Sequence, residues 1–179
     1  SIFADSKIKL EDEPTKRAIF MGRLDPIKRL EWIKYAAKNV SNIKFFIRGP
    51  LDGYAKFESD SANLVVDTNK FEHIEFKREL SKSDVYILPS IREALPFTLL
   101  EAMSQGVIPI SSASKGGLEV VEDGVNGFIF NSQEELVTKL EYIYANWKNV
   151  KNLRSNAIKK AKEYSLDKTN MHLLELYKS

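Results

Sequence analysis

Hydrophobic and polar positions fall in blocks along this chain, and the clearest block covers residues 84–110. Val85, Ile87 and Leu88 form a short apolar run closed by Pro89 and Ser90, which predicts a buried strand over 84–89. Pro96 suits the first turn of a helix, where a missing N–H costs nothing. Leu99, Leu100 and Met103 follow at helical spacing. Gln105-Gly106 predicts the stop, because glycine takes the left-handed conformation cheaply. Residues 107–110 are apolar again and open another strand. The block reads strand, turn, helix, strand.

The flanking pattern adds further elements. Residues 18–22 predict a strand that ends at Gly22, and a helix follows from Pro26 to about Val40, capped by Asp25. Leu30, Ile33, Tyr35 and Ala37 give that helix its apolar side. Residues 43–47 predict a second strand, closed by Gly49-Pro50, and 64–66 a third. Between them the ragged positions Tyr54, Ala55 and Phe57 suggest a weak helix over about 52–62. Residues 71–82 are ambiguous, since 73–77 alternate like a strand. A short helix is expected near Gly117, and Asp123-Gly124 and Asn126-Gly127 are turn signals flanking a short strand. Ser132 and Glu135 have capping-box spacing. The helix they open places Leu136, Leu140, Ile143 and Tyr144 inward. Another helix covers 148–164 with Leu153, Ala157, Ile158 and Ala161 inward and Lys151, Arg154, Lys159, Lys160 and Lys162 on a basic face. That face reads as solvated, or as a contact for anionic lipid. A last helix is expected over 168–177. Residues 1–16 are polar and read as a linker or a short edge segment.

Composition narrows the classes. A chain of 179 residues with 43% hydrophobic and 29% charged content can bury one good core. No apolar run is long enough to span a membrane. The absence of cysteine excludes a disulfide framework, a zinc-thiolate site and a thiol nucleophile. It also fits a cytoplasmic location. His73 and His172 are too far apart in sequence to favour a histidine metal site, and a net charge of +2 gives no case for nucleic acid.

Candidate chemistry collects at two turns. A strand feeding Gly22 and then a helix is the phosphate end of a Rossmann-like unit, and Arg23 and Lys28 project from that turn. The alternative is that Lys28 and Arg29 are solvated charges on a helix surface. At the second turn, Glu93 lies before Pro96 and Glu101 about a turn and a half into the helix. Between them the N–H groups of Phe97, Thr98 and Leu99 have no partner within the helix and make an anion site. Carboxylates beside such a site suit a ligand that carries both phosphate and hydroxyl groups.

The stretch PSIREALPFTLLEAMSQGVIPI, with Glu93 and Glu101 eight apart, resembles the donor-sugar motif of the retaining GT-B glycosyltransferases of family four. The Gly22-Arg23-Leu24…Lys28 turn resembles their diphosphate-binding loop. The Ser…Gly116-Gly117-x-Glu119…Asp123-Gly124-x-Asn126-Gly127 order is similar to a third segment of the family. The resemblance covers nearly all of residues 17–177. It implies an α/β fold, a Rossmann-like three-layer α/β/α arrangement with a mostly parallel sheet, forming one half of a GT-B fold. Residues 17–179 would be the donor nucleotide-sugar-binding domain and 1–16 a linker from a missing N-terminal acceptor domain. Family order also decides 71–82 for helix, which makes His73 a surface residue.

By the same resemblance, Arg23 and Lys28 neutralise the donor's diphosphate as it leaves, and Glu93 lies near the transferred sugar. Glu101 accepts hydrogen bonds from the ribose hydroxyls. Gly22 and the turn Ala94, Leu95, Pro96, Phe97, Thr98 and Leu99 border the donor, while Asp67 and Thr68 fall where relatives contact the nucleobase. An ordinary Asp- and Asn-rich turn explains Asp67 and Thr68 equally well. Gly116 and Gly117 would let backbone come near the sugar, and Glu119 reads as a helix N-terminal carboxylate. Ala94 departs from the family, which commonly has glycine there. The donor would be a UDP- or GDP-sugar, with no cofactor and no obligatory metal, since no Asp-x-Asp triplet is present. A glycan or lipid-linked acceptor would reach the site through the missing half, on the cytoplasmic face if the enzyme is membrane-associated. The competing class is a non-catalytic Rossmann-like nucleotide-binding or regulatory module.

Overall fold

The computed structural model describes residues 13–164. Six strands form one sheet: β1 (Arg17–Met21), β2 (Lys44–Arg48), β3 (Leu64–Asp67), β4 (Val85–Leu88), β5 (Ile108–Ser112) and β6 (Phe128–Phe130). Their order is β3-β2-β1-β4-β5-β6 and each pairing is parallel. The sheet expected to be mostly parallel is therefore parallel throughout the described residues. A parallel sheet is covered on both faces, so its central strands need continuous apolar runs. β4 and β5 are buried at each of their positions.

Six helices flank it: α1 (Glu31–Asn39), α2 (His73–Ser81), α3 (Phe97–Ser104), α4 (Lys115–Val120), α5 (Gln133–Ala145) and α6 (Trp147–Glu163). Right-handed crossovers put α1, on the way from β1 to β2, opposite α3, on the way from β4 to β5. α5 packs with α1, and α6 with α3. The result is a three-layer α/β/α fold, as expected. The chain leaves β1 in one direction along the sheet and later fills β4, β5 and β6 in the other. The reversal leaves a crevice at the carboxyl ends of β1 and β4, the usual ligand position in such sheets.

Several expectations are corrected. The helix expected from Pro26 to Val40 is split. Asp25 does cap its start, accepting from the Ile27 N–H at 2.8 Å, but Pro26–Lys28 is a 3-10 turn. Arg29 then adopts the left-handed conformation, φ 47° and ψ 45°, at a cost of about 1–2 kcal/mol for a residue with a Cβ. The weak helix over 52–62 does not form, and that segment is irregular. The helix expected over 71–82 does form, as α2, despite the strand-like alternation at 73–77, and His73 is exposed on it as expected. Glu119 comes late in α4, so it is no N-terminal carboxylate; Ser114 caps that helix instead. The Ser132 hydroxyl caps the Glu135 N–H, but the Glu135 carboxylate reaches back to Asn131, not to Ser132. Arg154 leaves the basic face of α6: it is buried and its Nε donates to the Gly106 carbonyl at 2.8 Å. The helix expected over 168–177 and most of the 1–16 segment lie outside the described residues. No described helix is long and apolar enough to cross a membrane.

Candidate functional site

Three loops build the crevice. The Gly22 N–H bonds to the Arg48 carbonyl, which extends the β1–β2 pairing by one residue and directs Arg23 outward. Gly49 is needed beside it: with φ 149°, a Cβ there would lie 1.8 Å from the Gly22 oxygen. The 3-10 turn then carries Lys28 across to the loop after β4. The Ile91 N–H bonds to the Ile27 carbonyl at 2.8 Å, and Lys28 Nζ meets Glu93 Oε1 at 2.5 Å. From the other side, the Gly116 N–H donates to the Glu93 carbonyl at 3.0 Å. A Cβ at Gly116 would sit 2.6 Å from the Ala94 oxygen and 2.8 Å from that of Glu93. So Gly116 lets the start of α4 lie against the Glu93 loop. The same position was expected to face the sugar, and Gly117 packs instead against Ser111 and Ser112.

These loops enclose a cleft of about 410 Å³. It brings together Gly22, Arg23 and Lys28 from the first turn with Glu93, Leu95, Pro96, Phe97 and Thr98 from the second. Lys28 and Glu93 are paired with only 20% and 13% of their side-chain surface exposed. That rules out the reading of Lys28 as a solvated charge. Arg23 is 70% exposed and pairs with Asp52 at the mouth. Exposed pairs of that kind hold their partners weakly, so Arg23 is available to a ligand.

Other residues lie elsewhere. Leu99 is a core residue of α3. Ala94 is exposed, with its backbone against Gly116, and its φ is negative, so this loop does not use the conformation that glycine would favour. Asp67 turns to Arg48 at 2.9 Å and accepts from the Asn69 N–H and side-chain amide. The Asn69 N–H, more than the arginine, holds its carboxyl below the usual range. Thr68 is exposed on that turn, away from the cleft. The helix N-terminus is also less open than the spacing suggested. The Phe97 N–H bonds to the Leu95 carbonyl and the Leu99 N–H to that of Pro96, which leaves Thr98 N–H without a backbone acceptor among the described residues.

Glu101 lies beyond the cleft lining, half-buried and close enough to His73 and Lys77 of α2 to feel their charge. Burial is the larger influence and raises its pKa. It makes no direct ion pair among the described residues.

The pattern of residues missed three contributors. Phe71 and Pro50 line the cleft. Tyr86 supports it from below: its ring is fully buried and its hydroxyl donates to the Met21 carbonyl at 2.6 Å. Burial raises the phenol's pKa, and both Glu93 and Glu101 add to that effect, which places the hydroxyl near both carboxylates. Tyr86 lies within a run of core-strand residues, and nothing in the periodicity separates it from them. No group of three or more His, Asp or Glu side chains among the described residues is arranged to hold a metal.

A parallel sheet with a charged cleft at its switch point defines a class of open, doubly wound α/β protein with a ligand position at the carboxyl ends of its strands. The chain belongs within that class to the family described as glycosyl transferases group 1, which matches residues 1–163. Sulfoquinovosyl transferase SQD2 of Arabidopsis thaliana is 31% identical over 151 residues, covering 76% of this chain and 28% of that protein. Glycogen synthase of Thermodesulfovibrio yellowstonii is 25% identical over 89% of this chain and 34% of its own length. Among solved structures, sucrose-phosphate synthase from Thermosynechococcus elongatus superposes with a TM-score of 0.79 at 20% identity, over 93% of this chain and 45% of that one. HepE of Anabaena, in complex with UDP-glucose, gives 0.78 at 17% identity, over 90% and 48%. The chain thus spans about a third of those curated relatives and under half of those structures.

Proposed function

We propose that the cleft holds the diphosphate of a nucleotide-sugar donor, a UDP- or GDP-sugar, and that this chain is the donor-binding half of a retaining glycosyltransferase. The observation that carries the reading is the Lys28–Glu93 pair inside the switch-point cleft, with Arg23 at its mouth. A phosphate needs cations and a transferred sugar needs a carboxylate near its hydroxyls or its anomeric carbon. The cleft puts both within one ligand's length. UDP-glucose bound to HepE, a protein of the same fold, supports the choice of ligand class.

In this reading Arg23, Lys28 and the Thr98 N–H bind the diphosphate and stabilise its charge as it departs. These two cations do the work that a metal does elsewhere, so transfer proceeds without an obligatory metal. Glu93 leaves Lys28 for the sugar. Glu101 accepts the ribose hydroxyls, which give an otherwise unpaired carboxylate its hydrogen bonds. The acceptor, a glycan or lipid-linked saccharide of cell-surface polysaccharide or glycolipid synthesis, is held by an N-terminal domain across the cleft.

Amide chemical-shift mapping tests the ligand class. UDP-glucose, without metal, should perturb the amides of Gly22, Arg23, Lys28, Glu93, Ala94, Leu95, Phe97 and Thr98 as one saturable set. Perturbation confined to the Asp67–Asn69 turn, or none from any UDP- or GDP-sugar, would contradict the reading.

A further inference from the structure

Of the two non-glycine residues with positive φ among the described residues, Lys16 precedes β1 and Arg29 lies beside the cleft. Arg29 is left-handed, a conformation glycine adopts far more readily. It does not line the cleft. Its Nε donates to the Pro89 carbonyl at 2.7 Å, and Nη2 lies 3.4 Å from the Ser90 carbonyl. The guanidinium also sits 3.9 Å over the Trp32 ring. Burial lowers its pKa, and no carboxylate is among the causes of the shift.

These contacts form a series. Residue 29 is tied to 89 and 90, residue 27 to 91, and residue 28 to 93. Three consecutive residues of one turn are fastened to one stretch of the loop after β4, and Lys28–Glu93 is the rung at the cleft. The left-handed residue makes this geometry available. Its N–H closes the 3-10 turn onto the Pro26 carbonyl, which ends the turn before α1 begins. A right-handed residue at that point would continue Pro26–Lys28 into α1 and carry Lys28 around the helix surface. An arginine at a position that favours glycine implies that its side-chain contacts offset the backbone strain. The planar fork reaches two successive carbonyls, which a lysine ammonium on its single point charge does less well.

We propose that Arg29 is a positioning residue: it fastens the Lys28 turn to the Glu93 loop and so sets the spacing of the two charges in the cleft. The geometric part concerns the Lys28–Glu93 pair alone. Its bearing on diphosphate binding rests on the donor reading above.

A double-mutant cycle on Lys28→Met and Glu93→Gln, read by urea denaturation of the whole chain, measures the coupling of the pair without nucleotide. The cycle is run in the native, Arg29→Gly and Arg29→Lys backgrounds. Glycine relieves the strain and removes the fork; lysine keeps the charge and remains informative if the glycine variant does not fold. The pair's coupling should fall by at least half in Arg29→Gly and by less in Arg29→Lys. A merely structural arginine would lower the midpoint and leave the coupling unchanged, and that result overturns the proposal. A second arm titrates UDP, GDP and ADP and their nucleosides. Arg29→Gly should weaken the preferred diphosphate about tenfold and its nucleoside by much less; equal losses count against the proposal. If none binds the native chain, the donor reading fails while the cycle still decides the role of Arg29.

Discussion

Glu93 and Glu101 are the same residue type in one motif, yet the chain treats them in opposite ways. Glu93 lies on a loop fastened from two sides, by the 3-10 turn and by the start of α4, and its carboxylate is paired with Lys28. Glu101 sits on a regular helix, without a direct ion pair among the described residues, and burial raises its pKa. One carboxylate is neutralised by the protein. The other pays for its desolvation unless a ligand donates to it. A loop residue gains its position from specific clamps, whereas a helix residue gains it from the helix. Substitutions at the two sites should therefore fail in different ways.

The largest difference should appear at the clamp. Gly116→Ala forces a Cβ into the Glu93 and Ala94 carbonyls and should cost about 2–3 kcal/mol in urea denaturation, within the range for overpacking. Gly124→Ala is the control: it meets nothing within 4 Å and carries only the strain of φ 73°, about 1–2 kcal/mol. If the two cost the same, the Glu93 loop is not held as described. Nucleotide binding should show the reverse dependence. Glu101→Ala should weaken it by about 1.5–3 kcal/mol, the scale of hydrogen bonds to a charged group, with little change in stability. Unchanged affinity would remove Glu101 from the ribose.

A smaller effect is expected from separating the pair. Lys28→Met leaves a largely buried carboxylate without its partner and should destabilise by about 1–2 kcal/mol, discounted for the surface that stays wet. Glu93→Gln in the same background should recover part of that loss; no recovery would mean the pair is not coupled. The smallest effect is a pH dependence at Glu101. Its folded pKa is raised, so its stabilising contribution is full below the unfolded value and is lost as pH rises through the folded one. Glutamine, neutral throughout, should therefore raise the melting temperature at pH 7, with the gain shrinking as pH falls through the raised folded value and gone below the ordinary carboxylate value of 4.5. A gain that grows on acidification would reverse the assignment.

Much of the fold was legible because its core strands are continuous apolar runs. The stretch 84–110 gave strand, helix and strand to within a residue or two, and Gly106 ends α3 with φ 72° as its place predicted. What escaped was non-local. The helix expected from Pro26 breaks at Arg29 because distant carbonyls, of Pro89 and Ser90, recruit its side chain. Periodicity records neither partner. The 52–62 segment offered only ragged apolar positions for a weak helix, and it instead packs Phe57 into the core and pairs Asp60 with Lys34 and Lys38. Arg154 read as surface because it is charged, yet it is buried and bonded to a carbonyl of the α3–β5 turn. At the site, Lys28 and Glu93 could be named from motif order, but their pairing required the turn that order does not reveal. Tyr86 and Phe71 carried no signal apart from hydrophobicity, and Pro50 read only as the close of a strand.

The central claim is that the cleft between β1 and β4 takes a nucleoside diphosphate through Lys28. Calorimetric titration with UDP, GDP and ADP, first without metal and then with Mg²⁺, tests it most directly, in the native chain and in Lys28→Met. The account predicts saturable, metal-free binding of one diphosphate, weakened about tenfold or more in the variant, as expected for loss of one charge-assisted contact. Binding that Lys28→Met leaves unchanged, or saturation that appears only with Mg²⁺, would contradict it.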